Sequence, residues 1–381
     1  MLKVVYIVTT VDGYGADKSI LNNILYLKQH RMVDPFVIIP KSGLIEEQFL
    51  KNGLPYEICD HRSWFAGHKW FINRRVKRSL KSFYNRFMAN ILAMRLRKIG
   101  PFDLVHTNTM TTNFGIHLSK YINAKHIMHI RELPVEHFGW CYEYGERPTL
   151  LFIGRHSSAV IANSDYVADK FGHYLGSIRT LHNGIFEKKL MKNPCKYDYR
   201  NGLRIIIAGR LSEGKGQMTA IMAMKYLREM GGLCSDVCLD IYGDGELGDV
   251  YADYIKKYDL TETINMIPFD SNLYKQMKNY HIGLICSRCE AFGRTAIEFM
   301  GNGLAVIGNN SGNTPYIVRD GENGLIAKFS DPADLAKKIG LLVSDKTLIA
   351  KYGRKGFESV LCGFSIESSS RELLSIYESV T

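Results

Sequence analysis

Two successive series of short apolar runs, separated by a polar stretch, constrain the fold of this chain more than any other feature. In the first series, apolar runs occupy residues 3–8, 35–39, 103–106, 126–129 and 159–163. In the second series they occupy residues 203–209, 237–242, 263–267, 281–286 and 304–308. Short apolar strands that alternate with helices are typical of parallel sheets covered by helices. The sequence therefore predicts two Rossmann-like α/β domains with a linker near residues 184–202.

Length and composition agree with two folded domains. A chain of 381 residues exceeds the size at which a single core stops growing. The segment Met1–Val8 has no small-residue cleavage site and is interpreted as a first strand, not a signal peptide. No run approaches the roughly 20 apolar residues of a membrane-spanning helix. We expect a cytoplasmic protein, soluble or peripheral on a membrane.

Eight cysteines are scattered along the chain and favour a reduced compartment. Cys286 and Cys289 have the spacing of half a metal site, but no second half follows them. We therefore expect no bound metal.

The segment from Glu290 to Glu298 places two carboxylates around a glycine turn that begins a predicted helix. A helix N-terminus offers free backbone N–H groups and a partial positive charge, which suit a diphosphate. Glu290 is expected in the turn before the helix and Glu298 about two turns inside it. One carboxylate can then bind sugar hydroxyls while the other binds a ribose, although two glutamates at this spacing also occur on ordinary exposed helices.

Two further glycine-rich turns follow strands of the second series. Residues 208–216, with the sequence AGRLSEGKG, carry Arg210 and Lys215, which can both point at a diphosphate. Fixed cations of this kind stabilise the charge that grows on a departing nucleoside diphosphate. Residues 241–246, with the sequence IYGDGE, form a second strand and turn that could line the nucleoside side of the site.

The first domain has a looser phosphate-like loop at residues 12–18, DGYGADK, directly after its first strand. It fails as a dinucleotide fingerprint because Lys18 stands where the third glycine belongs. His129 ends the strand at 126–129, and a lone histidine at such a place is often a structural residue. Ligands of such sheets bind beyond the carboxyl ends of the strands, so the crevice between the two domains is the expected site.

Positive charge is concentrated in one segment. Residues 62–98 contain eleven Lys and Arg residues and no Asp or Glu. The summed charge of these eleven residues equals the formal net charge of the whole chain, +11. Aromatic residues interleave with them, as expected of a basic helix on an anionic membrane surface. The membrane and acceptor candidates are Trp70, Arg74, Arg75, Lys77, Arg78 and Lys81. A solvated basic helix is the alternative, and a nucleic-acid site is disfavoured because no such motif accompanies the patch.

Together, the 208–216 element, the 241–246 turn, the 290–298 segment and the later stretch GENGL at 321–325 resemble family four of the retaining glycosyltransferases, which have the GT-B fold. The resemblance implies two facing Rossmann-like domains and a C-terminal helix, near 364–377, that crosses back to the first domain. The implied domains are 1–183 plus 362–381 on the acceptor side and 184–361 for the nucleotide-sugar. It also implies metal-independent transfer with retention at the anomeric carbon.

The resemblance assigns roles by position. The catalytic set that it implies is Arg210, Lys215, Glu290 and His129. The donor-binding set is Gly15, Gly209, Gly243, Phe292, Gly293, Arg294, Thr295 and Glu298. Glu298 is expected to hold the ribose. Arg131 or Glu132 can share the role of His129, because the segment IRE at 130–132 departs from the family's usual His-Asp pair.

The expected function is transfer of a sugar from a UDP- or GDP-linked donor to a saccharide acceptor. We expect this acceptor to be lipid-linked and the reaction to belong to polysaccharide biosynthesis. The expected partners are the nucleotide-sugar, the acceptor and an anionic membrane at the inner face of the plasma membrane, with no nucleic acid. Two alternatives stay open, a nucleotide-sugar epimerase or hydrolase of the same fold and a catalytically silent membrane scaffold.

Overall fold

The structure is a computed structural model that describes residues 1–11, 15–67, 75–191, 197–200, 202–231, 236–270 and 272–381. Within these ranges the chain divides into two compact units. The first comprises Met1–Glu187 and Ser365–Thr381, and the second Lys188–Phe364. The boundaries expected from the sequence lie at residues 183 and 361, a few positions earlier.

The first unit contains a seven-stranded sheet and a separate two-stranded ribbon. Its strands are β1 (Leu2–Ile7), β2 (Val33–Ile39), β3 (Tyr56–Ile58), β4 (Phe65–Gly67), β5 (Leu104–Thr107), β6 (Lys125–Ile130), β7 (Trp140–Tyr142), β8 (Ala159–Ala162) and β9 (Arg179–Thr180). The sheet order is β3-β2-β1-β5-β6-β8-β9, with every neighbouring pair parallel. The antiparallel ribbon pairs β4 with β7.

Helices connect these strands and cover the sheet. They are α1 (Gly15–Gln29), α2 (Ile45–Lys51), α3 (Arg75–Leu96), α4 (Phe114–Ile122), α5 (Pro134–Phe138), α6 (Glu146–His156) and α7 (Asp165–Leu175).

The second unit contains a six-stranded parallel sheet. Its strands are β10 (Leu203–Ala208), β11 (Val237–Tyr242), β12 (Ile264–Ile267), β13 (Ile282–Leu284), β14 (Ala305–Asn309) and β15 (Gly324–Ala327). Their order is β12-β11-β10-β13-β14-β15. Its helices are α8 (Gln217–Glu229), α9 (Gly248–Lys257), α10 (Leu273–Gln276), α11 (Arg294–Gly301), α12 (Thr314–Ile317), α13 (Pro332–Ser344) and α14 (Lys346–Gly363).

Burial on both faces explains why the central strands have continuous apolar sequences. In β1 the four residues from Val4 to Ile7 are all fully buried, on both faces of the sheet. In β10, Ile205, Ile206 and Ile207 are buried in the same way. Strands covered by helices on both sides need apolar side chains at every position, so alternation with polar residues is absent. These strands form the centre of each core.

The last helix of the chain, α15 (Ile366–Glu378), belongs to the first unit. The Ile366 N–H donates a hydrogen bond to the Phe186 carbonyl oxygen at 2.8 Å, so the returning chain lies beside the outgoing one. Leu373, Ile376 and Tyr377 of this helix are buried against the core that contains α1. The predicted return of a C-terminal helix to the first domain is confirmed.

Each of the ten apolar runs contains a strand, and the predicted architecture of two parallel α/β sheets is confirmed. The run at 281–286 is the least accurate, because β13 covers only Ile282–Leu284. The strands that the sequence analysis missed are the short ones β3, β4, β7, β9 and β15. No helix in the described ranges is long and apolar enough to cross a membrane.

The cap of α15 provides a test of the return segment. Ser365 is buried, and its side-chain oxygen accepts a hydrogen bond from the Ser368 N–H at 3.1 Å. We predict that Ser365→Ala lowers the free energy of unfolding by about 1 kcal/mol, because the first turn loses a cap. Ser375→Ala, at an exposed position of the same helix, should change it by less than about 0.5 kcal/mol. Urea denaturation measures both, and equal effects of the two substitutions would contradict the role of the cap.

Candidate functional site

The second unit has a pocket at the carboxyl ends of β10 and β13, which are neighbouring strands. The space between its walls, counted together with adjoining open solvent, is about 270 Å³. Among the residues that line it are Lys215, Ser287, Glu290, Gly293 and Thr295. Parallel sheets of this kind bind ligands at the carboxyl edge, where the loops after the strands converge. The structure thus brings the 208–216 and 290–298 segments of the sequence to one place.

An ion pair between Lys215 and Glu290 joins the two loops. Lys215 Nζ lies 2.7 Å from Glu290 Oε1. The two side chains are 28% and 15% exposed, so the pair is partly shielded from water but open to a ligand. Lys215 ends a short 3-10 helix, Glu213–Lys215, between β10 and α8. A partly buried cation held at a pocket wall is suited to bind an anion.

Close backbone contact supports this ion pair. A Cβ at Gly216, the residue before α8, would lie only 2.2 Å from the Cys286 carbonyl oxygen. Only a glycine can stand there, and its positive φ of 74° also favours glycine. The Arg288 N–H donates a hydrogen bond to the Gly214 carbonyl oxygen at 2.8 Å. The loops after β10 and β13 are therefore held at a fixed separation, which brings Lys215 to Glu290.

The loop after β14 contacts the turn that carries Glu290. A Cβ at Gly312 would lie 2.6 Å from the backbone nitrogen of Glu290. The Asn313 N–H donates to the Glu290 carbonyl oxygen at 2.8 Å, and its side-chain Nδ2 donates to the Phe292 carbonyl oxygen at 2.7 Å. Asn309 Nδ2 likewise donates to the Ser287 carbonyl oxygen at 2.8 Å.

These supporting residues were missed by the sequence analysis. The asparagine- and glycine-rich stretch at 309–313 directly after a strand was the available signal, since such a cluster marks a loop with special backbone geometry.

Helix α11 begins at the pocket. Gly293 is its N-cap residue, with φ 85°, and has no side chain to cap the first turn. Thr295 lines the pocket, whereas Arg294 Nε donates to Glu298 Oε1 at 2.7 Å. Glu298 is the fifth residue of α11, just over one turn inside it, and not two turns as expected. The two carboxylates of the motif therefore have different cationic partners.

Arg210 and Lys215 pair with different acidic side chains. Arg210 is 74% exposed and pairs with Glu246, at 3.2 Å, on the loop after β11. Such an exposed pair contributes little to stability, so the guanidinium can leave it for a stronger anion. Gly209 and Gly243 lie in backbone contact, because a Cβ at Gly243 would be 2.1 Å from the Gly209 carbonyl oxygen. They hold the two strand ends together.

The cysteine pair shows no metal-like grouping. Cys286 and Cys289 are both buried, and burial raises the pKa of the Cys286 thiol to about 12. In the described part of the chain, no group of three or more His, Cys, Asp or Glu side chains is placed to hold a metal ion.

In the first unit, His129 lies at the carboxyl end of β6 and is fully buried. Burial, with nearby Arg131 and His106, lowers its pKa well below the ordinary value, so its imidazole is neutral. Arg131 and Glu132 are also buried beside it. Burial raises the pKa of Glu132 to about 7, although the Met110 and Arg131 N–H groups donate to its two carboxylate oxygens. Gly15, with φ 30°, is the first residue of α1, and residues 12–14 lie outside the described ranges.

The basic segment is partly neutralised. Three of its cations form ion pairs with acids outside it: Arg62 with Asp60, Lys81 with Glu143 and Arg95 with Glu57. These three cations are therefore balanced by acidic partners. Trp70 and Arg74 lie outside the described residues. Arg75, Lys77 and Arg78 lie on α3, where the structure describes only their backbone.

The second unit is similar to known glycosyltransferases. Residues 199–359 match the family model described as "Glycosyl transferases group 1". The lipopolysaccharide core biosynthesis glycosyltransferase LpsE of Rhizobium meliloti is 23% identical over 239 residues, which cover 62% of this chain and 68% of the relative. The N-acetylgalactosamine-N,N'-diacetylbacillosaminyl-diphospho-undecaprenol 4-alpha-N-acetylgalactosaminyltransferase of Campylobacter jejuni is 27% identical over 152 residues, 40% of each chain.

The whole chain resembles solved structures. Anabaena HepE, crystallised with UDP, superposes with a TM-score of 0.80 at 18% identity, over 99% of this chain and all of that one. The GT-B fold expected from the sequence is therefore confirmed.

Asn313 allows a test of how the Glu290 turn is held. Asn313→Ala leaves the buried Phe292 carbonyl oxygen without its donor, so we predict a loss of about 1–3 kcal/mol in the free energy of unfolding. Asn310→Ala is a matched control in the same loop, because its side chain is exposed and accepts a hydrogen bond from the Phe329 N–H. Chemical denaturation of the two variants should differ by more than about 1 kcal/mol. A loss no greater than that of the control would contradict the assigned role of Asn313.

Proposed function

We propose that this chain, a GT-B glycosyltransferase of the group 1 family, transfers a sugar from a nucleoside diphosphate donor to a saccharide hydroxyl with retention of anomeric configuration. The observation that carries the proposal is the Lys215–Glu290 pair, which places a cation and a carboxylate in the same pocket as Gly293 and Thr295 at the start of α11. A diphosphate matches the cation and the N–H groups of a helix N-terminus, and a sugar hydroxyl matches the carboxylate.

The donor is proposed to bind in the second unit. Its diphosphate accepts hydrogen bonds from Lys215 and from the first N–H groups of α11, and Arg210 leaves Glu246 to join them. Glu290 accepts from hydroxyls of the transferred sugar. Glu298 accepts from the ribose, and its contact with Arg294 keeps the carboxylate in one orientation. HepE was crystallised with UDP, which supports a UDP donor here, with GDP as the other candidate.

The proposed reaction needs no covalent intermediate with the protein. The acceptor oxygen forms a bond to the anomeric carbon on the face that the diphosphate leaves, and the bond to the phosphate oxygen breaks. The acceptor hydroxyl proton passes to the departing phosphate. Lys215 and Arg210 would stabilise the charge that develops on the diphosphate, the role that a metal ion has in other transferases. We therefore propose metal-independent transfer.

The acceptor is proposed to be a lipid-linked saccharide at the inner face of the plasma membrane. The Campylobacter jejuni relative is named for a diphospho-undecaprenol saccharide, which supports this class of acceptor. Helix α3 of the first unit has a matching surface, since Leu80, Phe83, Phe87 and Met94 are each more than half exposed. Their spacing places them in one stripe about 21 Å long.

Basic residues border this apolar stripe on the same helix. Arg86 is exposed on α3, and Arg97 and Lys98 follow the end of the helix. Arg95 is also exposed but pairs with Glu57. A stripe of apolar side chains with basic neighbours fits the interface of an anionic bilayer.

Removal of the pocket cation is the first test of this function. We predict that Lys215→Ala lowers the transfer rate by about 100- to 1,000-fold, because one preorganised group loses its contact with the developing charge. Arg210→Ala should lower it by about 10-fold or more. Lys355→Ala, which breaks an exposed ion pair with Glu358 on α14, is the matched control and should retain the wild-type rate. Nucleoside diphosphate release, with and without a lipid-linked acceptor, measures the rates.

The same assay separates the alternatives. NMR of the product should show the anomeric configuration of the donor, and EDTA should leave the rate unchanged. Full activity of both Lys215→Ala and Arg210→Ala would overturn the proposal. Donor turnover that is independent of any acceptor indicates a hydrolase or epimerase, and no turnover of any donor indicates a silent scaffold.

The α3 stripe gives a second prediction, for membrane binding. Wild-type protein should sediment with phosphatidylglycerol vesicles more than with phosphatidylcholine vesicles, and less at high salt. Phe83→Ser with Phe87→Ser should weaken binding at least about 10-fold, since each buried Phe side chain contributes roughly 1.5–3 kcal/mol. Phe329→Ser is the control, because this Phe is 42% exposed in the second unit. Equal sedimentation with both lipids, or with neither, would contradict the proposed surface.

A further inference from the structure

A chain of buried polar side chains connects the C-terminal helix with the carboxyl end of β6. Tyr377 Oη of α15 lies 2.6 Å from His106 Nδ1 on β5. His106 Nε2 lies 3.3 Å from His129 Nδ1 on β6. Arg131 Nη2 also lies 3.2 Å from His129 Nδ1. Tyr377, His106 and His129 are fully buried, and Arg131 is 7% exposed.

The chemistry of these groups determines the direction of each hydrogen bond. A guanidinium only donates, so His129 Nδ1 must be an acceptor. His106 Nε2 then donates to that same nitrogen, which leaves His106 Nδ1 as the acceptor of the Tyr377 hydroxyl proton. The Tyr6 hydroxyl oxygen lies farther from Tyr377, at 3.3 Å, and competes weakly for this proton. Both imidazoles are neutral, because burial lowers their pKa values well below the ordinary range.

Arg131 cannot easily move away from this arrangement. Its Nε donates to Asn108 Oδ1 at 2.7 Å, and its Nη1 donates to Asn183 Oδ1. Asn163 Nδ2 donates to the Arg131 carbonyl oxygen at 3.0 Å. The guanidinium that sets the tautomer of His129 is therefore held by two side-chain hydrogen bonds, and the Arg131 backbone by a third.

The other ring nitrogen of His129, Nε2, makes no hydrogen bond to the described part of the protein. In this tautomer Nε2 carries the proton, and it is buried without a hydrogen-bond partner among the described residues. An unsatisfied buried N–H group costs about 1–3 kcal/mol, so such groups in native proteins call for an explanation. An oxygen of a bound ligand, such as a sugar hydroxyl, would accept this hydrogen bond.

We propose that Tyr377 and His106 are positioning residues that hold His129 as an Nε2–H donor toward a substrate oxygen. The inference rests on the proposed function for the identity of that substrate. It assigns the returning helix α15 a part in substrate orientation in addition to its part in the fold. Arg131 acts with them as a second donor that shares the single lone pair of His129 Nδ1.

Imidazole NMR tests the tautomers independently of activity. Long-range proton–nitrogen spectra of the wild-type protein should show His106 and His129 both neutral and protonated at Nε2. In Tyr377→Phe the His106 signals should change, because Nδ1 loses its donor. Tyr6→Phe is the matched control, since it removes a neighbouring buried hydroxyl and leaves the Tyr377–His106 hydrogen bond in place. Both variants should melt at similar temperatures.

Kinetics then tests the positioning role. Tyr377→Phe should lower kcat by about 5- to 10-fold with little change in the donor KM, whereas Tyr6→Phe should stay within about twofold of wild type. His106→Gln should retain more activity than His106→Leu, because the amide can still donate to His129 Nδ1.

Three results would overturn the inference: a wild-type His129 protonated at Nδ1, equal kcat in the two tyrosine variants, or equal activity in the two His106 variants. A chain inactive with every donor would refute the proposed function instead, and the wild-type tautomers would still be measurable.

Discussion

The candidate donor site depends on close backbone contact between loops at one edge of the second sheet. Gly216 lies against the Cys286 carbonyl oxygen, and Gly312 lies against the backbone of Glu290, at separations that leave no space for a Cβ. Because the loops are held at these distances, Lys215 and Glu290 meet although they are 75 positions apart in the sequence. The polar chemistry of the pocket is thus a consequence of steric constraints on the main chain.

In the first unit, side chains and not backbone contacts hold the candidate residue in place. Its candidate residue His129 is held by side chains, with Arg131 and His106 on one ring nitrogen and Tyr377 behind His106. These groups come from two strands, a loop and the last helix, so the arrangement forms only when that helix has returned. Since all four groups are buried, each hydrogen bond carries a high cost if it is broken. The two units therefore orient their polar groups by backbone contact and by side-chain networks, respectively.

The sequence predicted what depends on local pattern. Apolar runs identified every long strand, whereas short elements such as β4 and β7 carry too few residues for a pattern. The sequence placed Lys215 and Glu290 in one site because both follow predicted strands of one sheet. It could not show that Arg210 is exposed against Glu246, or that Tyr377 lies beneath His106, because neither contact has a local signature. Long-range packing determined these positions.

Hydrogen–deuterium exchange of the whole chain with and without UDP tests the central claim most directly. If the diphosphate binds at the Lys215–Glu290 pair, peptides spanning residues 208–217 and 286–298 should exchange more slowly when UDP is present. Peptides from the opposite edge of the same sheet, such as those around Arg204 and Val237, should not change. Protection that omits both loops, or that falls only within residues 1–187, would contradict this account of the donor site.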